Sequence, residues 1–460
     1  ATAPKATQAR AQRPHPSIAV LPPTGLPPAE AVPLNFLPVA EGEGALTLRA
    51  RLARPWFPVG VSEGHLVIDV QARAPDAPEA DRPPVRIALV IDRSGSMAGQ
   101  KLAEAKRAAH HLLSLLGTRD RLAIVHYGSD VRALPELPVT AGTRERLSAF
   151  INAIHDEGGT NIGGGLEAAS RALAEPAEGN PARRLILLSD GQPTEGVTDE
   201  AGLWALAGRL REHGVAVSAL GVGLDFNDRL MQGLAQRGGG FYGYLRDASA
   251  LADIFARELD QATRTVARGP GLRLTLPPGV TATEVLGLPS SFEGGVLRVP
   301  LYDLAAGNSA RVVVRLRIAA SGAASGMPVA QVSLRYADGR TGGGRETSTS
   351  VTGTATQDAR LAESHVDADA TAQVHRALGA RQMAEAAEAF REGRRDVGLG
   401  LLDNVRSLFG ASASALSGEL EDLDRTRAAL VDARSPDDVQ DGAKRLKLKA
   451  FENYGQSNSY

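Results

Sequence analysis

The chain has 460 residues, of which 43% are hydrophobic and 23% charged, so it is too long for one hydrophobic core and about two to four folded domains are expected. Its 51 basic and 53 acidic residues give a net charge of −2, which argues against a nucleic acid or an anionic membrane as the main partner. The absence of cysteine excludes thiol catalysis, disulfides, zinc ribbons and iron–sulfur clusters.

The first part of the chain, residues 1–43, is rich in proline and alanine and lacks hydrophobic periodicity, which predicts a disordered tether. The sequence starts at Ala1 rather than at Met, and this favours a mature exported protein in the periplasm, at the cell surface or outside the cell. A trimmed cytoplasmic chain is the alternative. No run approaches the roughly 18 apolar residues of a membrane helix, so no membrane span is predicted.

Residues 44–84 show alternating apolar residues, first at Leu46, Leu48 and Ala50 and then at Leu66, Ile68 and Val70. This period of two predicts two or three strands with one buried face.

Residues 85–265 change to short, continuous apolar runs that alternate with amphipathic segments, which is typical of an α/β layered sheet with buried parallel strands. Val131–Val139 contains two prolines and can only be an edge strand. The predicted buried strands are Ile87–Ile91, Leu122–Val125, Leu185–Leu188 and Val215–Leu220. The predicted helices are Gln100–Leu116, Thr143–His155, Gly164–Ala174, Asp199–His213, Phe226–Arg237 and Ala248–Ala262.

Residues 266–356 return to alternating strands separated by turns, which predicts an antiparallel β-sandwich. Because β-rich regions flank the α/β segment, we expect them to form one discontinuous sandwich, with the α/β domain inserted in it or lying beside it. Residues 357–460 are rich in Ala, Leu, Glu and Arg and predict a C-terminal α-helical bundle. Within this bundle the basic helix end Lys444–Lys449 is interpreted as a solvated face, with an interaction surface as the alternative.

Three loops of the α/β segment carry oxygen ligands. Asp92, Ser94 and Ser96 follow an apolar strand, Thr160 lies in a glycine-rich loop between two helices, and Asp190 ends another apolar strand before Gly191. The carboxyl ends of the strands in an open α/β sheet are where ligands bind, so these loops are expected to meet. Two carboxylates and three hydroxyls suit Mg²⁺, with Mn²⁺ or Ca²⁺ as alternatives, and the lack of His and Cys argues against zinc or copper. Alternatively, Ser94 or Ser96 only caps the helix that begins near Gly99.

These five residues match a known motif. The pattern Asp92-x-Ser94-x-Ser96, with Thr160 and Asp190-Gly191, resembles the metal-ion-dependent adhesion site of von Willebrand factor type A domains. The resemblance covers residues 85–265 and implies a doubly wound, mostly parallel sheet with the ion at its top, held by these side chains directly or through water. The layout of the whole chain is similar to bacterial secreted type A proteins labelled calcium-activated chloride channel homologues.

The resemblance implies a non-enzymatic, divalent-cation-dependent protein-binding or adhesion module. The ion would coordinate an Asp or Glu carboxylate of a protein partner, and binding would be coupled to a shift of the last helix of this domain, Ala248–Ala262. Two alternatives stay open: an assembly or chaperone subunit acting with an AAA+ ATPase, and a scaffold whose metal is purely structural. The sequence contains no nucleophile–base constellation, no H-E-x-x-H and no phosphate-binding loop, which argues against an enzyme.

Overall fold

The first strands of the chain belong to three different sheets. The computed structural model describes residues 19–20, 39–41, 44–73, 83–175 and 181–455. Within the predicted tether it places two short strands, and the remainder of residues 1–43 lies outside the described residues. The N-terminal strands are β1 (Ala19–Val20), β2 (Val39–Glu41), β3 (Leu46–Leu52), β4 (Trp56–Pro58) and β5 (Gly60–Ala72).

The next segment forms an α/β unit in which continuous apolar runs become buried strands. Every residue of its first strand is buried, because both faces of the sheet are covered by helices. Its elements are β6 (Val85–Asp92), α1 (Gln100–Leu115), β7 (Arg121–Tyr127), β8 (Val131–Pro138), α2 (Ala141–Asn152), α3 (Ile162–Ala172), β9 (Ala182–Ser189), α4 (Glu200–Glu212), β10 (Val215–Val222), α5 (Asp228–Gly238), β11 (Gly239–Leu245) and α6 (Leu251–Thr263).

The strand order of this sheet is β1-β8-β7-β6-β9-β10-β11. Strands β7, β6, β9, β10 and β11 run parallel, whereas β8 pairs antiparallel with β7 near the edge, so the predicted doubly wound α/β sheet is confirmed. The order reverses between β6 and β9, and the carboxyl ends of these neighbouring strands therefore open a crevice.

Strand β11 was not predicted, because its glycines resemble a turn. A Cβ on Gly240 would lie 2.4 Å from the backbone oxygen of Val217 in β10, so the two strands approach too closely for a side chain there.

The β-sandwich combines strands from before and after the α/β unit. Strand β5 pairs antiparallel along the whole of β17, and β4 pairs with β19, so the expected discontinuous sandwich with an inserted α/β domain is confirmed. Side chains of the two sheets share one core, which includes Leu66, Ile68 and Leu334. Its later strands are β12 (Thr265–Thr275), β13 (Val280–Val285), β14 (Ser291–Glu293), β15 (Val296–Pro300), β16 (Leu304–Ala305), β17 (Ser309–Ala320), β18 (Ala324–Asp338) and β19 (Gly344–Thr356).

The C-terminal region is helical, as predicted, and packs on both other parts. Alanine and valine side chains of α8 pack against Val67 and Val313 of the sandwich, while Phe451 of α11 joins the core of the α/β unit. The helices are α7 (Ala359–Ser364), α8 (Ala368–Arg391), α9 (Arg395–Gly410), α10 (Ala413–Asp432) and α11 (Pro436–Asn453). Among the described helices, none combines the length and the apolar character that a membrane span requires.

The interpretation of Lys444–Lys449 as a solvated face is wrong for two of its lysines. Lys444 is 2% exposed; its Nζ donates to the carbonyl of Phe226 at 3.0 Å and lies 3.8 Å from the centroid of the Phe226 ring. Lys447 is buried and pairs with Asp228 at 3.0 Å. These lysines instead dock α11 on the loop that follows β10 and on the first residue of α5.

Candidate metal centre

Asp92 ends the central strand β6, and its side chain is 0% exposed. One carboxylate oxygen accepts a hydrogen bond from the backbone N–H of Ser94 at 2.8 Å, and the other accepts from Ser189 Oγ at 2.6 Å. Burial raises the pKa of Asp92 to about 6, against the lowering effect of these hydrogen bonds, and the charge of nearby Asp190 raises it further. A charged Asp92 is therefore costly here unless a cation lies close by.

Ser94 and Ser96 link Asp92 to the neighbouring strand. Their hydroxyl oxygens are 3.1 Å apart, and Ser96 Oγ donates to Asp190 Oδ1 at 2.7 Å. Helix α1 is preceded by Gly99, and neither serine side chain caps that helix or the single 3-10 turn Gly95–Met97, so the capping alternative is not observed. Ser94 is buried but Ser96 is exposed, so the cluster opens to solvent at Ser96.

Asp190 directly follows β9, which lies beside β6, and its side chain is also 0% exposed. Its Oδ2 accepts a hydrogen bond from the ammonium of Lys101, in the first turn of α1. The next residue, Gly191, allows a close approach: a Cβ there would lie 3.2 Å from Thr160 Oγ1 and 3.6 Å from Ser96 Oγ.

Thr160 is buried in the loop between α2 and α3. Its N–H donates to Thr194 Oγ1 at 2.9 Å, and its carbonyl accepts from the N–H of Thr194 at 3.0 Å, which joins this loop to the loop after Asp190. The N–H of Gly95 donates to the carbonyl of Gly158 at 3.2 Å and joins it to the loop after Asp92. The structure thus brings Asp92, Ser94, Ser96, Thr160 and Asp190 to one place.

Three further residues of the site were missed from the sequence: Lys101, Ser189 and Arg93. Ser189 had a readable signal, since it is a polar residue at the end of an apolar run. Arg93 is fully buried and pairs with Asp130 and, at 3.1 Å, with Glu157, so it holds the loops around the site without contacting Asp190. Lys101 had no signal in the local pattern, because it is one of several charged residues on an amphipathic helix.

The residues present fit a hard divalent cation. Among the described residues, the two buried carboxylates have one ammonium in hydrogen-bond contact, that of Lys101, which leaves a negative charge for a cation to neutralise, and the neighbouring oxygen ligands are hydroxyls. The described part of the chain contains no group of three or more His, Cys, Asp or Glu side chains placed to hold a metal. An ion bound here would therefore depend on the serine and threonine hydroxyls and on water.

Comparison with known families and structures agrees with this fold. Residues 87–257 match the family model of the von Willebrand factor type A domain. A solved von Willebrand factor type A protein from Catenulispora acidiphila superposes with a TM-score of 0.70 and 19% identity, over 88% of this chain and 96% of that chain. The ArnB paralog VWA2 from Sulfolobus acidocaldarius gives a TM-score of 0.59 and 16% identity, over 88% and 98%. These two similarities show a common fold that extends well beyond the matched domain.

Relatives by sequence match only part of this chain. The uncharacterized protein YfbK of Escherichia coli (strain K12) is 28% identical over 253 residues, which are 54% of this chain and 42% of that protein. The inter-alpha-trypsin inhibitor heavy chain H4 of Sus scrofa is 29% identical over 193 residues, 40% of this chain and 21% of that protein. The E3 ubiquitin-protein ligase WAV3 of Arabidopsis thaliana is 36% identical over 115 residues, 25% and 16%. The chain thus spans less than half the length of each of these relatives.

Proposed function

Residues 87–257 form a von Willebrand factor type A domain, and we propose that this domain binds a divalent cation and uses it to hold a carboxylate of a protein partner. Asp92, Ser94, Ser96, Thr160 and Asp190 would hold the ion, directly or through water, and Mg²⁺ suits this set of oxygens best. The role is one of binding and not of catalysis. The ion would supply a positive centre that attracts an Asp or Glu side chain of the partner.

The observation that carries this proposal is the pairing of two buried carboxylates from neighbouring strands with a solvent opening at Ser96. An ion that is ligated mainly by neutral hydroxyls keeps much of its charge, and so retains affinity for one more carboxylate. The exposed side of the cluster leaves room for such a ligand, whereas a cation enclosed on every side would stabilise the fold alone.

Calorimetric titration with MgCl₂ tests the metal site. We expect wild type to bind one ion, and Asp92→Ala to lose binding because half of the buried negative charge is removed. The exposed variant Ser96→Ala should stay folded and bind more weakly, while Asp369→Ala, at an exposed acid far along the chain, serves as the control. Equal Mg²⁺ affinity in wild type and Asp92→Ala would contradict the proposal.

Peptide selection tests the partner chemistry. A random peptide library bound to the protein in Mg²⁺ and eluted with EDTA should yield peptides that share an Asp or Glu, and replacing that residue by Asn or Gln should abolish binding. A scaffold with a structural ion gives a different result: EDTA lowers the melting temperature, but peptides stay bound after chelation.

A further inference from the structure

Lys101 contacts the candidate metal site, although it is not one of the five residues of the motif. It lies in the first turn of α1, and neighbouring side chains of that helix, Leu102 and Ala105, are buried against the sheet. The helix backbone is therefore fixed, and it directs the Lys101 ammonium onto Asp190 Oδ2. The lysine side chain is 31% exposed whereas the aspartate is 0% exposed, so the charge pair lies at the boundary between the site and solvent.

The electrostatics of the site explain what this ammonium does. Asp92 and Asp190 are both 0% exposed and lie at the ends of the neighbouring strands β6 and β9, so their like charges oppose each other. An ammonium against Asp190 neutralises one of the two carboxylates and lets the protein fold with both in place. A divalent cation at the same oxygens would meet this positive charge at close range, and like charges in a poorly solvated site repel strongly.

Space beside the lysine is provided by a glycine. Gly223, directly after β10, has a φ of +81°, and a Cβ there would lie 3.2 Å from Lys101 Nζ and 3.3 Å from its Cε. A side chain at residue 223 would therefore press on the ammonium. The loop after β10 also contacts the loop after Asp190, because Gln192 Nε2 donates to the carbonyl of Asp225 at 3.3 Å. The lysine thus lies between two loops of the site, with part of its side chain exposed to solvent.

We propose that Lys101 is an internal cation that stabilises the metal-free site and competes with the divalent ion for Asp190. This inference rests on the proposed metal-binding function and adds to it a residue that sets the affinity. The lysine lowers the affinity for Mg²⁺, so that the site fills only when the ion concentration is high enough to displace the ammonium.

The test is calorimetric titration with MgCl₂ of wild type, Lys101→Met and Lys101→Gln. Removing the competing charge should tighten Mg²⁺ binding about tenfold. The control Lys106→Met removes a lysine from the same helix, whose Nζ donates to the carbonyls of Asn152 and Ile154 at 2.8 and 2.9 Å, away from the site. Its Mg²⁺ affinity should equal that of wild type.

Melting temperatures provide a second readout. In EDTA, Lys101→Met and Lys101→Gln should melt below wild type, because two buried carboxylates then lack a cation, and Mg²⁺ should raise the melting temperature of either variant more than that of wild type.

The outcomes separate this inference from the function on which it rests. If wild type binds Mg²⁺ and Asp92→Ala does not, but both Lys101 variants bind as wild type or more weakly, then Lys101 positions Asp190 and the competition is overturned while the metal site stands. If neither wild type nor the two Lys101 variants bind Mg²⁺, the proposed metal site is wrong, and the proposed competition is wrong with it. The Lys101→Gln variant keeps a polar side chain at the rim, so the test does not depend on the folding of Lys101→Met.

Discussion

Buried ionisable side chains lie at both ends of the α/β sheet. Glu258 lies at the end away from the candidate metal site. This residue of α6 is 1% exposed; its Oε2 accepts from Ser218 Oγ at 3.0 Å, while its Oε1 has no hydrogen-bond partner among the described residues. Burial raises the pKa of Glu258 to about 7, although the charge of Arg184 and the Ser218 hydrogen bond lower it. Below about pH 7 the folded protein therefore favours the protonated form of Glu258.

This raised pKa predicts a pH-dependent effect of Glu258→Gln on stability. Between pH 4.5 and 7 the unfolded chain ionises Glu258 but the folded protein does not, so wild-type stability should fall as pH rises through this window. The variant lacks this loss, and near pH 8 it should be more stable than wild type by about 3 kcal/mol in urea denaturation.

Near pH 4.5 the stabilities of wild type and Glu258→Gln should converge. Asp260→Asn is the matched control, because this acid of the same helix is exposed and its pair with Arg264 contributes little. A stability difference between Glu258→Gln and wild type that is constant from pH 4.5 to 8 would contradict the raised pKa.

Residues of the candidate site differ in how far the sequence predicts them. Asp92, Ser94 and Ser96 are fixed by one strand end, and Asp190 by another, so their positions follow from the apolar runs before them. Lys101 could not be identified, because its contact with Asp190 depends on how α1 turns over the sheet. Lys444 was misinterpreted for a similar reason: a lysine on a helix is usually solvated, and only the docked fold shows the carbonyl that accepts its hydrogen bond.

Among the elements, α3 shows how closely a helix can pack on this sheet. A Cβ on Gly165 would lie 2.7 Å from the ring of Tyr127 and 3.1 Å from a methyl of Val90, so the glycine allows direct contact between helix and strands. A Cβ on Gly208 of α4 would meet nothing within 4 Å in the described part of the chain apart from its own helix backbone and chain neighbours. Close packing on the sheet therefore requires a glycine at residue 165, whereas the packing around residue 208 does not.

Replacing each glycine by alanine should give effects of opposite sign. Gly165→Ala forces the ring or the helix to move and should destabilise the protein by about 1–3 kcal/mol. Gly208→Ala only restricts the unfolded chain and improves helix propensity, so it should stabilise by about 0.5–1 kcal/mol. Urea denaturation measures both, and a stabilising Gly165→Ala would show that α3 lies farther from the sheet than described.

Element prediction succeeded where one pattern dominated. The apolar runs identified β6, β7, β9 and β10, whereas the edge position predicted for β8 from its prolines is only approximate, because the two-residue strand β1 pairs on its outer side. Strand β11 escaped because Gly238–Gly240 suggests a turn, whereas the close approach to Val217 that requires those glycines exists only in the assembled sheet. Local patterns thus predict strands whose own apolar side chains form the core. They miss a strand such as β11, whose glycines are needed only because a neighbouring strand approaches closely.

At the scale of the whole molecule, the sequence predicted an inserted α/β domain and a helical bundle, but not which surfaces they share. Phe451 in the last turn of α11 packs in the core of the α/β unit, with its ring edge-on to Tyr242 at a centroid distance of 5.8 Å. Tyr244 Oη donates to Asp441 Oδ1 of the same helix at 2.6 Å. Helix α11 therefore contributes to the cores of both the helical region and the α/β unit, and its loss should destabilise both.

Phe451→Ala tests this shared core. Truncating a buried phenylalanine should cost about 3–5 kcal/mol, and because this ring joins two regions, hydrogen exchange should accelerate in both α11 and β11. The control Phe409→Ala removes a ring that is equally buried but lies in the core of the helical region, against Gly379. Its exchange should accelerate in α8 and α9 and leave β11 protected, since the contact with Tyr242 survives. If Phe451→Ala leaves the exchange of β11 at the wild-type rate, the helical region and the α/β unit do not share a stabilising core.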